Sequence, residues 1–387
     1  MRPYKMLYIL NIANHVNNFS YSSMMAAREL GIEYHIAGNW SYKSDEDRHA
    51  DEVKYGIHIY QIDFIRAPYH PGNIRAYRQL ATIAQKEHFN IIHCNTPIGG
   101  VIGRLIGKKY KIPMVIYQAH GFHFFDGAPI LNWLIYYPIE RLFAHWTDEM
   151  ITINREDFVR AKAKMHLRGQ GKVVYVPGVG IDTEKFKNTV VDKNTKRSEI
   201  GVPKNAFLLL SVGELNQNKN HETVIKALAQ IKRKDIHYAI AGIGDKKGQL
   251  EQLAAEVGLS DRVKLLGYRT DVSELYAASD AFVFPSFREG LSVSLMEAMA
   301  SGLPCIVSKI RGNTDLIQDG IGGYLCNPSD PTAFAEAICK IVNNRALSVE
   351  MKSANEQRIK LFSLNQVVSQ MISIYQECLK NKSNLYV

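Results

Sequence analysis

Two glutamates, Glu289 and Glu297, stand eight positions apart in Phe287-Arg288-Glu289-Gly290-Leu291-Ser292-Val293-Ser294-Leu295-Met296-Glu297. The apolar run 281–285 leads into this segment as a strand, and residues 294–300 leave it as a helix. A strand that breaks at a glycine and restarts as a helix presents backbone N–H groups and a positive dipole end at a sheet edge, which suits an anion. Glu289 falls in the loop before the helix and Glu297 roughly one turn inside it, so both carboxylates flank whatever docks there. A carboxylate beside a phosphate has to bind some other part of the ligand, and sugar hydroxyls are the natural donors. The plainer reading of the same spacing is a capping acid followed by a solvated helix glutamate.

Other candidates end neighbouring strands. Ser211-Val212-Gly213-Glu214-Leu215-Asn216-Gln217-Asn218-Lys219 follows a strand, with Gly213 permitting a tight exit and Lys219 opening a helix from which it can reach a phosphate. A solvated loop lysine is the alternative. Gly242-Ile243-Gly244 lacks the third glycine and the acid of a dinucleotide fingerprint and reads as a tight turn. Leu266-Gly267-Tyr268-Arg269 ends a further strand, where backbone groups can meet a base. His120, at a strand end before Gly121, is a ligand contact or a satisfied structural histidine.

These positions need a scaffold of parallel strands. At 387 residues the chain is too long for one compact core, so two domains are expected. Short apolar strands alternate with helix-length segments throughout, the pattern of α/β layers. Strands are expected at 6–12, 34–37, 57–60, 91–94, 114–118 and 149–153, and then at 206–212, 238–241, 263–266, 281–284, 305–308 and 323–326. Residues 20–30, 73–88, 100–109, 131–145, 331–343 and 364–379 read as helices. The charge-rich stretch 185–198, after Pro177-Gly178-Val179-Gly180, reads as a linker. The fold class expected is therefore two doubly wound, Rossmann-like domains facing a cleft, with ligands at the strand C-terminal ends. The boundaries are 1–187, completed by a C-terminal helix at about 365–387, and 188–364.

Composition excludes several classes. No long uncharged apolar run marks a membrane span. The start leads straight into a strand and lacks the apolar core and cleavage site of a signal peptide, which points to a cytoplasmic protein. The five cysteines are scattered, with no Cys-x-x-Cys pair, and read as reduced core thiols. A net charge of +9 suits an anionic partner, yet no DNA- or RNA-binding motif accompanies the dispersed basic residues, so nucleic acid is not expected.

The segments Gly267 through Asp280, Phe284-Pro285-Ser286, Glu289-Gly290, Glu297-Ala298 and Gly302-Leu303-Pro304 together resemble the family-4 retaining glycosyltransferases of GT-B architecture, whose signature is this Glu-x7-Glu. The likeness runs over nearly the whole chain. The segments Thr96-Pro97-Ile98-Gly99-Gly100, Ala119-His120-Gly121-Phe122-His123-Phe124 and Tyr175-Val176-Pro177-Gly178-Val179-Gly180-Ile181-Asp182 resemble the branch that builds bacterial capsules and exopolysaccharides.

The resemblance implies an acceptor-binding first domain and a nucleotide-sugar-binding second domain. It implies that Glu289 binds donor-sugar hydroxyls, that Glu297 binds the ribose and that Lys219 neutralises the diphosphate. Backbone groups of Gly213, Gly290, Leu291, Ser292 and Arg269 would hold sugar, diphosphate and base, and His120 would approach the sugar from the first domain. Glu289, His120 and Lys219 are the catalytic set so implied. The donor would be a UDP-linked hexose or N-acetylhexosamine, and the acceptor a polyprenyl-diphosphate-linked glycan at the inner membrane face. Two positions depart from the pattern. Glu214 stands where the family has an arginine, leaving Arg288 or a first-domain basic residue to supply the second cation. His15, Asn17 and Asn18 stand where the family has a Gly-Gly loop.

Transfer from a nucleotide sugar builds positive charge on the anomeric carbon and negative charge on the departing diphosphate, so cations and N–H dipoles are what it requires. No carboxylate has to be a nucleophile, and retention by front-face attack is expected. No metal-binding Asp-x-Asp type motif is evident, so neither a metal nor another cofactor is expected. His123 and Asp126 are acceptor-side candidates. Arg66, Arg75, Arg78, Lys86, Arg104, Lys108, Lys109 and Lys111, with the aromatic stretch 132–143, suit either a membrane-facing surface or exposed basic helix faces over a core helix. Two other functions share this architecture: a nucleotide-sugar epimerase, which would form product without an acceptor, and a non-catalytic sugar- or nucleotide-binding protein.

Overall fold

Among the described residues, thirteen strands form two all-parallel sheets. In the first they are β1 (Lys5–Ile12), β2 (Glu33–Asn39), β3 (His58–Gln61), β4 (Ile91–Asn95), β5 (Met114–Ala119), β6 (Glu149–Thr152) and β7 (Lys172–Tyr175), in the order β3-β2-β1-β4-β5-β6-β7. In the second they are β8 (Phe207–Val212), β9 (Ile236–Ala241), β10 (Val263–Gly267), β11 (Ala281–Phe284), β12 (Cys305–Ser308) and β13 (Gly323–Cys326), in the order β10-β9-β8-β11-β12-β13. The computed structural model describes residues 3–13, 16, 18–95 and 97–383. They fall into two compact units, Met1–Gly180 with Leu364–Val387, and Ile181–Ser363.

Alternation along β1 shows how the first unit is built. Leu7 and Ile9 enter a core with Leu80, Ile102 and Ile106, while Met6, Tyr8 and Leu10 enter the core on the opposite face. That second core includes Val367, Met371 and Tyr375 of the C-terminal helix Leu364–Ser383, whose Tyr375 hydroxyl lies 2.7 Å from His93 Nδ1 and 2.5 Å from Ser23 Oγ. The last helix is therefore built into the first sheet's packing.

Each sheet reverses its strand order once, between β1 and β4 in the first and between β8 and β11 in the second. Such switch points open a crevice at the strand C-terminal ends, because the connections leave in opposite directions.

The stretch expected to be a linker contains two helices, Thr183–Lys187 and Lys193–Glu199. Its charge is paired rather than solvated. Lys196, 9% exposed, lies 2.8 Å from Asp271 and 2.7 Å from Glu274, and Arg197 reaches Asp280 at 2.8 Å. Composition alone cannot distinguish a solvated charge run from one answered by distant acids. Strand β7 was not expected either: four residues at a sheet edge, largely half-buried, leave a weak apolar signal.

The aromatic stretch forms the Ile130–Ala144 helix, with Trp133, Tyr136 and Tyr137 packed on the first core. Arg104 is not on the surface: it is fully buried, 2.8 Å from Glu140 and stacked 3.9 Å over the Tyr117 ring. All five cysteines are free, and no helix of the described residues is long and apolar enough to cross a membrane.

Candidate active site

In the second unit the loops after β8 and β11 meet at the switch point. Phe287 N–H donates to Asn218 O at 2.8 Å, Asn218 Nδ2 donates to Arg288 O at 2.9 Å, and Asn220 Nδ2 donates to Pro285 O at 3.0 Å. Asn220 adopts φ 54°, which turns the chain into the His221–Gln230 helix. These bonds fix Lys219 opposite Glu289, with Nζ 2.8 Å from Oε1 and 4.6 Å from the centre of the Phe284 ring. The lysine's stem needs space. A Cβ on Gly213 would lie 3.3 Å from Lys219 Cε, so this glycine makes room for the side chain.

Glu289 is also held from below. Its carbonyl accepts from Arg311 Nε at 3.2 Å, and a Cβ on Gly312 would come within 2.3 Å of the Gly290 carbonyl. Gly290, Leu291 and Ser292 then lead into the Val293–Ala300 helix, where the Ser292 hydroxyl caps the N-terminus by accepting from Leu295 N–H at 3.3 Å. The Ser292 side chain is thus engaged in capping, and its backbone is what a ligand would meet.

Glu297 lies on that helix beside Tyr276, whose hydroxyl is 3.2 Å from Glu297 Oε2 and 3.0 Å from Ser294 O. Burial pushes the Glu297 carboxyl up to about 7, against the Tyr276 hydrogen bond and the Lys185 charge, which both favour ionisation. It is neither a solvated glutamate nor a cap.

The Arg269 guanidinium is committed elsewhere. It pairs with Asp271 and Glu199, and these acids hold its proton more firmly than usual. At 267–269 that leaves the backbone and the exposed Tyr268 side chain for a ligand, with Gly267 at φ 71°. Gly242-x-Gly244 is not the tight turn expected: Gly242 bridges to Gly267, and the turn falls at 245–246. A Cβ on Gly242 would lie 1.9 Å from Gly213 O, and one on Gly244 2.3 Å from Leu215 O, so these glycines allow the loops after β8 and β9 to touch. Glu214 is exposed and accepts from Asn216 Nδ2 at 2.8 Å, while Asn216 Oδ1 accepts Lys219 N–H at 3.0 Å. Glu214 therefore braces the lysine's loop through Asn216.

In the first unit His120 directly follows β5, and Gly121 comes next at φ 130°. His120 Nε2 is 3.0 Å from Asn95 Oδ1, and Asn95 Nδ2 donates to Ile9 O at 3.3 Å, which fixes the amide's orientation. Nε2 must then carry the proton, leaving a lone pair on Nδ1, which is buried and has no partner among the described residues. Burial lowers this imidazole's pKa to about 4. The Phe19 ring packs edge-on to it, with centroids 5.0 Å apart.

A cavity of about 490 Å³ opens beside these strand ends, with Asn11, Phe19, Arg66, Ile98, His123 and Tyr136 among its walls. His123 stacks on Tyr136 at 4.5 Å, whereas Asp126 is taken up by Arg160. Thr96, His15 and Asn17 lie outside the described residues, as does the side chain of Asn18. The chain does hold one Asp-x-Asp triplet, Asp45-Glu46-Asp47. It forms the first turn of the Asp45–Tyr55 helix, where Asp45 pairs with Arg48 and Asp47 N–H donates to Ser44.

Asn95, Tyr276 and Arg311 are the neighbours the sequence did not single out. A polar residue closing the apolar strand 91–94 was a readable signal for Asn95. Tyr276 and Arg311 carry none, since each is placed by a loop or helix far away in the chain.

Comparisons with known proteins show the family of the chain. Residues 192–358 match the model for glycosyl transferases group 1, and residues 16–185 match the model for glycosyltransferase family 4. A Bacillus subtilis (strain 168) protein named "Putative glycosyltransferase EpsD" is 33% identical over 376 residues, 96% of each chain. An Escherichia coli UDP-Gal:alpha-D-GlcNAc-diphosphoundecaprenol alpha-1,3-galactosyltransferase is 27% identical over 80% of this chain and 81% of its own. Among solved structures, Anabaena HepE in complex with UDP and glucose superposes with a TM-score of 0.79 at 18% identity, covering 97% of this chain and all of HepE. With two parallel-sheet units, a paired Glu289 and Lys219 at the second switch point, and similarity along nearly its full length, the chain belongs to the family-4 glycosyltransferases of GT-B architecture.

Proposed function

We propose that this glycosyltransferase moves a hexose or N-acetylhexosamine from a UDP-linked donor to a polyprenyl-diphosphate-linked glycan, with retention of anomeric configuration, in surface polysaccharide synthesis. The observation that carries the reading is the 2.8 Å pairing of Lys219 with Glu289 at the switch point, with Glu297 on the helix that follows. It combines a cation for a diphosphate, a carboxylate for sugar hydroxyls and a second carboxylate for a ribose. The E. coli relative's name supports a lipid-linked acceptor, and the UDP and glucose bound to HepE support the donor class.

In this reading the second unit, residues 188–364 on the sequence boundaries, binds the nucleotide sugar, and the first, 1–187 with the C-terminal helix, binds the acceptor. Lys219 leaves Glu289 for the diphosphate, joined by backbone N–H groups of Gly290, Leu291 and Ser292 at the positive end of the Val293–Ala300 helix. Glu289 then accepts donor-sugar hydroxyls and Glu297 the ribose hydroxyls. Backbone at Gly213 and Arg269 borders the diphosphate and the base. His120 offers its Nδ1 lone pair to a hydroxyl of the same sugar.

The anomeric C–O bond to the diphosphate breaks, the acceptor oxygen bonds to the anomeric carbon on the same face, and the acceptor proton passes to the leaving phosphate oxygen. The enzyme works peripherally at the inner face of the membrane. Thermal melting against a panel of nucleotide sugars identifies the donor, since the true one stabilises the fold by RT ln(1 + [L]/Kd) and so raises the melting temperature most at equal concentration. The product's anomeric proton coupling then reports retention. A panel in which no uridine nucleotide stabilises the protein would overturn the donor assignment.

A further inference from the structure

We propose that Glu33, His35 and His58 form a binding site for one divalent transition-metal ion of the zinc type, which clamps the edge strand β3 to β2. Strand register brings the three together. Glu33 and His35 stand two positions apart on β2, so their side chains leave the same face, and His35 pairs directly with His58, the first residue of β3. Glu33 Oε1 is 2.8 Å from His35 Nε2 and 3.7 Å from His58 Nε2, and the three ligand atoms lie within 4.8 Å of one another. Ligands at the corners of a zinc tetrahedron stand about 3.4 Å apart, a spacing that these two distances bracket. At 3.7 Å, His58 Nε2 is too far for a hydrogen bond to that oxygen and well placed to share an ion with it. Two imidazoles and one carboxylate leave a fourth position open to water.

The central ligand is held in place beforehand. His35 is 1% exposed; the His58 ring stacks on it with centroids 4.5 Å apart, and the Phe89 ring meets it edge-on at 5.0 Å. The Tyr60 hydroxyl lies 3.1 Å from His35 Nδ1, where it can accept that nitrogen's proton and leave the Nε2 lone pair for a metal. Burial lowers the pKa of this ring, against the Glu33 hydrogen bond, and so favours the neutral form that ligates.

Lys5 is the competing cation. Its Nζ is 3.5 Å from Glu33 Oε1 and 3.0 Å from Glu87 Oε2, so it keeps Glu87 as a partner when an ion takes Glu33. Lys5, Glu33 and His58 each open their strand, at the end opposite to the strand ends that carry His120 and the cavity. The ion therefore has a structural role, fastening a four-residue edge strand, and takes no part in glycosyl transfer.

Equilibrium dialysis of the chelator-stripped full chain against zinc chloride tests the site. One ion per chain is expected, with a melting temperature that rises with zinc concentration. X-ray absorption by the loaded chain should show two imidazoles with Zn–N of about 2.0–2.1 Å. His58→Ala and Glu33→Gln should each weaken zinc binding by about tenfold or more. The His58 side chain is 57% exposed, so its loss should leave the zinc-free melting temperature unchanged. His145→Ala removes an exposed histidine outside the cluster and should leave zinc affinity unchanged. A parent chain that retains no stoichiometric zinc would overturn the proposal. So would equal affinity in the parent and both cluster variants, or equal weakening by His145→Ala, since either marks an adventitious ion only.

Discussion

Lys219 and Glu289 are 70 residues apart in the chain and 2.8 Å apart in space, and neither is well exposed, at 19% and 13% of their side chains. The pair holds each partner in place before a ligand arrives. It also means that a diphosphate has to draw the ammonium away from a carboxylate, so the two residues affect binding in opposite directions.

Replacing Lys219 by Met is expected to lower kcat by about 100- to 1,000-fold, the usual effect of removing one preorganised positive group from a developing anion. Glu289→Ala should abolish transfer and leave UDP affinity intact or tighter, because Lys219 is no longer engaged. Calorimetric titration with UDP and a turnover assay read the two effects separately. An alanine variant with normal turnover would remove Glu289 from the sugar site.

Gly312 has φ 81°, and a Cβ there would meet the Gly290 carbonyl at 2.3 Å. Gly312→Ala should therefore displace the Glu289–Ser292 loop, with backbone strain of order 1–3 kcal/mol. The expected result is a lower melting temperature together with a raised KM for the donor. A loss of stability with donor KM unchanged would show that the loop is not pressed into place by this neighbour.

The parallel sheets, the paired glutamates and Lys219 were legible in the sequence because each depends on local pattern: apolar runs, a glycine break, a residue at a helix start. What stayed hidden depends on partners distant in the chain. The charge-rich stretch 185–198 read as a linker because Asp271, Glu274 and Asp280, which pair with its Lys196 and Arg197, lie far along the chain. Gly242 and Gly244 looked like a turn because the loop they touch lies some thirty residues earlier. Arg104 looked like a surface cation because nothing local announces Glu140, 36 residues later.

His120 is predicted to act as a neutral hydrogen-bond acceptor. Burial holds its pKa at about 4, and Asn95 fixes the proton on Nε2. His120→Ala should lower kcat about 10- to 100-fold with UDP affinity unchanged. Between roughly pH 5 and 8 the parent's rate profile should carry no limb that this substitution removes. A limb near pH 6.5 that vanishes in the variant would show instead that the imidazole titrates during turnover.

Glu297 makes stability and nucleotide binding depend on pH in a calculable direction. Its carboxyl is raised from 4.5 to about 7 by burial, so between those values the folded chain keeps a proton that the unfolded chain has lost. The stability this provides is complete below 4.5 and disappears as pH rises through 7. The full shift corresponds to on the order of 3 kcal/mol. Glu297→Gln should therefore gain stability relative to the parent on going from pH 5 to pH 8, as measured by urea unfolding at both. Glu149, also raised to about 7, gives a slope of the same sign in both proteins and cancels in the difference. Ribose hydroxyls donate best to the ionised carboxylate, so UDP affinity should rise with pH through 7 in the parent and stay flat in the variant. Parallel pH profiles for the two proteins would place Glu297 outside the nucleotide site.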